Sequence, residues 1–176
     1  MVLQPIANFP QIPCSALSSF PAAPAQPTAV LTTDRRDEAA LMNLAVKHGP
    51  KLVVPEVWRE LLPQSGILIS SALSGGTFRQ RMEEAAQISP KRCFLLLEPM
   101  QQQFSLPCSD GQGHQTTIMN YDHTFFSDTL CCQYAHFSRH SQGIMVLWDT
   151  EESLQRKLEL ARQAGFLGYA WSAVTK

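Results

Sequence analysis

What the sequence lacks narrows the field first. No apolar run approaches the roughly 20 residues that a spanning helix needs, so no membrane span is expected. Lys and Arg number 14 against 15 Asp and Glu, for a formal net charge of −1 with His neutral. The chain therefore has no basic field to draw nucleic acid or anionic lipid, and neither partner is expected. The five cysteines, Cys14, Cys93, Cys108, Cys131 and Cys132, are odd in number and irregularly spaced. No C-x-x-C pair occurs, which argues against a structural zinc site and a thioredoxin-type centre. Unpaired thiols suit a reducing compartment. The first 28 residues carry no basic start and no continuous apolar core. Prolines at positions 5, 10, 13, 21, 24 and 27 interrupt them, so no signal peptide is expected and a cytoplasmic location is.

What remains is ample for one domain. Of 176 residues, 44% are hydrophobic, enough to build a core without metal or disulfide staples. Residues 1–28 read as an extended Pro/Ala-rich arm, since proline fixes φ and removes backbone donors. Residues 29–176 read as the folded unit. Ala29–Thr32 is a short β-type run. Asp34 or Asp37 can cap a helix that ends at Gly49-Pro50, with Leu41, Leu44, Ala45 and Val46 as its apolar positions. Lys51–Pro55 and Gly66–Ser70 read as buried strands, with Glu56–Leu62 a short helix between them. Thr77 is the N-cap of a helix from Phe78 to about Gln87. Arg92–Leu97 (RCFLLL) is continuously apolar, as a strand covered on both faces must be.

Residues 99–149 interrupt this rhythm. Pro107 and Ser109–Gly113 mark a long loop, and Phe125–Cys132 reads as a short helix with Cys131 and Cys132 on it. Gln133–Ser138 and Gly143–Trp148 read as a hairpin about a polar turn. Asp149 or Thr150 then caps a helix with an apolar stripe through Leu154, Leu158 and Ala161, which Gly165 ends. Phe166–Trp171 is the last strand. Strand and helix in alternation, with apolar strands, predict an α/β fold with five or so parallel strands. The chain is too short for a full eight-stranded barrel, so the expected architecture is a partial or degenerate TIM-barrel-like (β/α) domain. The inserted hairpin and loop region lies between its last two strands.

Ile88–Leu96, Phe104–Pro107 with Gly111 and Gly113, and Leu130–Phe137 resemble, in that order, segments of glycoside hydrolase family 18. The run from Val146 through Asp149, Ser153, Leu154, Lys157, Leu158, Ala161, Gly165, Phe166 and Gly168 to Trp171 resembles that family's final helix and strand, and is its most specific part. The likeness covers roughly residues 66–176 and is closest to bacterial spore cortex-lytic and LysM-associated members. It implies an N-acetylated glycan of peptidoglycan or chitin type as ligand. The family's catalysis rests on a D-x-x-D-x-D-x-E motif whose last Glu protonates the glycosidic oxygen, as a raised-pKa acid must. Asp34, Asp37 and Glu38 lack that spacing, and Asp149–Glu152 opens a helix, where acids suit the positive dipole end. No hydrolysis by that route is expected. Asn120-Tyr121-Asp122 matches the family's M-x-Y-D strand end only out of order, and is a chance match.

No catalytic residue is assigned with the motif missing. Glu98, at the C-terminal end of the RCFLLL strand, stands where barrel enzymes place functional groups. It is the weak catalytic candidate and a ligand-binding one; the structural alternative is a hydrogen-bonded strand end. The resemblance implies that Trp171 floors a sugar cleft, a core Trp closing the sheet being the alternative. Tyr169, two residues earlier on the same strand, joins them as a ligand-binding candidate, with core packing as its alternative. Of His114, His123, His136 and His140, only His136 and His140 share i, i+4 spacing, and they lie on opposite sides of the expected turn; all four read as solvated loop residues, so no metal is expected. Cys108 has no base supplied for a nucleophile's role. Ser74–Thr77 lacks the Lys partner of a phosphate loop, and no cofactor is expected. Three functions follow: a non-catalytic glycan-binding or scaffold domain, an enzyme of different chemistry using Glu98, or an oligomeric assembly module whose open sheet edge takes a second copy or another protein.

Overall fold

A computed structural model describes residues 28–72, 76–108 and 113–171. The expected arm at 1–28 lies outside the described residues except for Thr28, which opens the first strand. Ser74-Gly75, the centre of the loop considered for phosphate, also lies outside them.

Five parallel strands form the framework. They are β1 (Thr28–Ala29), β2 (Leu52–Pro55), β3 (Gly66–Ser70), β4 (Cys93–Leu97) and β10 (Gly168–Trp171), in the spatial order β1-β2-β3-β4-β10. Helices α1 (Glu38–His48), α2 (Phe78–Ile88) and α3 (Glu151–Gln163) supply the returns. All three pack on one face. Leu41 of α1, Phe78 and Met82 of α2, and Leu158 and Ala161 of α3 share a core with Val54, Ile69, Leu95 and Leu97. Because side chains alternate along a strand, the residues between these turn to the opposite face. There Ala29, Val53, Leu68, Phe94 and Ala170 make a second, smaller cluster. Among the described residues the sheet is open, with β1 and β10 at its edges.

Local chemistry explains most boundaries. Thr77 and Thr150 are the N-caps of α2 and α3; each accepts a hydrogen bond from the N3 backbone N–H, Gln80 at 3.1 Å and Ser153 at 3.2 Å. Gly165, at φ +89°, turns the chain after α3 where a side chain would be strained. The Trp58 indole donates to the Thr32 carbonyl at 2.7 Å, and the Thr32 hydroxyl donates to Asp37 at 2.6 Å. Those two bonds hold the chain as it leaves β1. Val46, expected on the apolar stripe of α1, is 89% exposed, and Leu41 is the one fully buried residue of that helix.

The interruption at 99–149 is a second sheet. Strands β5 (Gln101–Leu106), β6 (His114–Gln115), β7 (Phe125–Ser127), β8 (Cys132–Arg139) and β9 (Gln142–Trp148) lie antiparallel in the order β6-β5-β9-β8-β7. The expected hairpin is β8–β9; its two-residue turn at His140 and Ser141 has φ of +50° and +64°, which suits a type I′ connection. The helix expected over Phe125–Cys132 is not formed. Phe125 and Phe126 are strand residues facing Tyr134 and Gln133, and a turn follows in which Cys131 N–H donates to the Ser127 carbonyl at 2.7 Å. Aromatic side chains gain more from cross-strand pairing here than a helix of only about two turns could return. Cys131, at φ +54°, and Cys132 are both buried, in the turn and at the start of β8 respectively.

Candidate functional site

Parallel strands of this kind carry ligands beyond their carboxyl ends. At those ends, Leu31, Glu56, Ser70, Arg81, Leu96 and Glu98 line a cavity of about 350 Å³. Its placement follows from register. Ser70 ends β3 opposite Leu96, and Glu98 follows β4 directly. The Glu98 carboxylate accepts a hydrogen bond from the Ser70 hydroxyl. The Glu98 backbone N–H donates to the Ser71 hydroxyl at 2.8 Å, and the Ala72 N–H donates to the Ser70 hydroxyl at 2.9 Å. The strand end therefore orients a carboxylate that has spent one of its roughly four acceptor sites on a neighbour. Among the described residues, no ion pair includes Glu98.

Two charged groups that sequence reasoning missed share the cavity wall. Glu56 follows β2, where its carboxylate meets Arg59 at 3.4 Å, and Arg81 comes from the first turns of α2. No spacing in the sequence links 56, 81 and 98. C-terminal strand ends bring Glu56 and Glu98 together and α2 adds Arg81, so a charge just past a predicted strand was an available signal for the two carboxylates and not for Arg81.

The three ligand-binding candidates are not assembled in one place. Glu98 faces the cavity beside Leu68 and Leu96. Tyr169 and Trp171 are paired with Leu95 and Leu97 and pack against the opposite, helix-bearing face. Trp171 lines a separate groove of about 240 Å³ against α3, with Leu154, Gln155 and Leu158. His114, His123, His136 and His140 are all exposed, and among the described residues no three His, Cys, Asp or Glu side chains converge as a metal would need. Cys108 is half-buried, and the Ser109–Gln112 stretch beside it lies outside the described residues.

A buried ionic node fixes the inserted sheet to the parallel one. Lys157 Nζ lies 2.8 Å from both carboxylate oxygens of Asp149, with the two side chains 1% and 0% exposed. Asp149 also accepts from Met100 N–H at 2.9 Å and from the Ser153 hydroxyl at 2.8 Å, while its own N–H donates to the Met100 carbonyl at 2.9 Å. Met100 enters the insertion and Asp149 leaves it, so these bonds close its neck. The Phe78 N–H donates to the Thr129 carbonyl at 2.9 Å, tying the insertion to the start of α2. Burial raises the nearby thiols, Cys131 to about 11 and Cys132 to about 12, and raises Cys93 to about 11. None is a ready nucleophile at neutral pH.

An open parallel sheet with one helical layer and an antiparallel insertion before its last helix and strand is the class that these observations define. No protein-family model matches the chain, and no curated protein sequence does. Solved structures do. The spore cortex-lytic enzyme SleL of Bacillus cereus aligns with 85% of this chain and 45% of its own, at TM-score 0.57 and 12% identity. SleL of Bacillus megaterium QM B1551 aligns with 77% of this chain and 42% of its own, at 0.52 and 11%. A Bacillus subtilis protein described as a sporulation-specific glycosylase, ydhD, aligns with 83% of this chain and 65% of its own, at 0.54 and 8%. The chain thus shares a fold with parts of these three structures and spans less than two thirds of each.

Proposed function

We propose that the chain is a partial-barrel relative of glycoside hydrolase family 18 that binds an N-acetylated glycan of peptidoglycan or chitin type at the strand-end cavity. It does so without hydrolysing the glycan by that family's acid route. The observation that carries this reading is the cavity of about 350 Å³ in which Glu98, oriented by Ser70, stands beside the apolar Leu68 and Leu96. A pyranose offers hydroxyl and amide donors to a carboxylate and axial C–H groups to apolar walls, so the lining suits both parts of the ligand. The fold likeness to SleL and ydhD supports it, as does the absence of D-x-x-D-x-D-x-E from the chain.

The test is titration with chito-oligosaccharides and peptidoglycan fragments, read by calorimetry. Saturable binding weakened about tenfold or more in Glu98→Gln is expected, since a hydrogen bond to a charged group is worth about 1.5–3 kcal/mol. Trp171→Ala separates the two positions: a loss there with Glu98→Gln unaffected would move the glycan to the groove against α3. No binding at millimolar ligand sinks the reading. One observation favours a second reading. Glu56 and Glu98 line the same cavity, and paired carboxylates are the equipment of an acid–base enzyme of different chemistry. Turnover of a substrate by the wild type, lost in Glu98→Gln, would establish that alternative.

A further inference from the structure

Residues 1–27 hold no Asp, Glu, Lys, Arg or His. Ile6, Phe9, Ile12, Leu17 and Phe20 are interleaved there with prolines at 5, 10, 13, 21, 24 and 27. A segment that stays solvated on its own is typically charged and poor in large apolar residues. This one is the reverse, and its apolar side chains gain by being covered.

The folded unit offers an uncharged groove near the point where that segment joins it. The groove, of about 250 Å³, lies between α1 and the residues that lead into β3, and no charged residue lines it. Met42 and Val46, four apart on one face of α1, are 48% and 89% exposed. Leu61, Leu62, Pro63 and Ser65 come from the other side. Register fixes its distance from the start of β1. Thr28 pairs with Leu52 and Val53 with Gly66, so Ser65 is level with Thr28 and two strand spacings away, about 10 Å. Gly49–Lys51, between α1 and β2, brings the end of α1 to the same end of the sheet. The groove therefore sits at the amino ends of the strands, and the Glu98 cavity at their carboxyl ends.

We propose that this groove is the docking site of the chain's own residues 1–27, which fold back from Thr28 and seat Leu17 and Phe20 against Met42 and Val46. Phe20 lies eight residues before Thr28, and eight extended residues reach about 25 Å, well beyond the distance to the groove. Proline removes backbone donors, so a segment rich in it holds itself extended without a strand partner. It therefore suits walls made of helix and turn side chains, which offer no free strand edge. Charge favours the same occupant. An uncharged segment over an uncharged lining takes no ion out of water when the groove closes.

The experiment places the photoreactive residue benzoylphenylalanine at position 46 of the full chain, where exposure lets the fold tolerate it. Cross-links are mapped by peptide mass in a mixture of isotope-labelled and unlabelled protein. The expected result is cross-linking to residues 1–27 of the same chain. Its yield should fall by roughly tenfold or more when Leu17→Ser and Phe20→Ser are added, since each removes a covered apolar side chain. The same group at Glu83, exposed on α2, is the control and should give little of this product. Val46→Asp supplies a second reading without the added aromatic ring: amide signals of residues 1–27 should shift while those of α2 and α3 stay in place. Absence of cross-links to residues 1–27 overturns the proposal, as does a yield that the serine substitutions leave unchanged or that position 83 equals. Cross-links joining labelled to unlabelled chains also overturn it, and assign the groove to a second copy.

Discussion

Replacing Lys157 with methionine tests how the two sheets are joined. Methionine matches the length of the lysine stem but leaves Asp149 buried with no counter-charge. Its carboxylate keeps the Met100 N–H and the Ser153 hydroxyl, and loses the ammonium 2.8 Å away. Breaking one side of a buried pair costs about 3–5 kcal/mol, because the remaining charge has been taken out of water uncompensated. With a urea slope of about 2 kcal/mol per molar for a domain of this size, the unfolding midpoint should fall by roughly 1.5–2.5 M. Adding Asp149→Leu to Lys157→Met removes the stranded charge and should recover part of that loss. Recovery stays incomplete, since Met100 N–H and the Ser153 hydroxyl then lack their acceptor. The pair at Glu159 and Arg162, 35% and 37% exposed, serves as control, and Arg162→Ala should leave the midpoint where it is. A Lys157→Met shift below about 0.5 M, or a double mutant whose cost is the plain sum of the two singles, would refute the ionic-node argument.

Four further outcomes are expected. Gly66→Ala places a Cβ 2.8 Å from the Phe94 ring and 3.0 Å from Val53, so overpacking should lower stability by about 1–3 kcal/mol in chemical denaturation. Thr77→Ala removes the cap of α2 and should cost about 1 kcal/mol by the same assay, with Thr77→Ser restoring most of it. Cys93, Cys131 and Cys132 should resist a thiol reagent at pH 8 until the chain unfolds; labelling of native protein, read by peptide mass, would contradict their burial. The same raised values set a pH dependence. Below the unfolded thiol range near pH 9 both states hold these protons. Between about pH 9 and 11–12 the unfolded chain releases them first, so their contribution to stability should fall as pH rises through that window.

Much of the framework was legible in the sequence because its signals are local. The run RCFLLL is short and continuously apolar after its Arg, as a strand covered on both faces is, and Cys93–Leu97 became β4. Thr77 and Thr150 name helix starts by a hydroxyl three residues ahead of an N–H. Gly49 and Gly165 name helix ends. The β8–β9 turn was readable from polar residues between apolar runs. Tertiary structure overrode the local signal at Phe125–Cys132, where Tyr134 and Gln133 offered a strand partner that no window of eight residues could reveal. Asp149 read as one of the acids at a helix start; only the fold brings Met100 and Lys157 to it and makes it the closure of a neck. The candidate site divides the same way. Glu98 was visible as a charge just past a strand, whereas Glu56 and Arg81 reach its cavity from elements that are distant in sequence. Trp171 and Glu98 read alike from sequence as strand-end residues, yet alternation along β4 and register with β10 send them to opposite faces. Side-chain pattern along the chain determines which segments are strands and helices. Which residues meet is decided by strand order and register, and these are set by the packing of the whole domain.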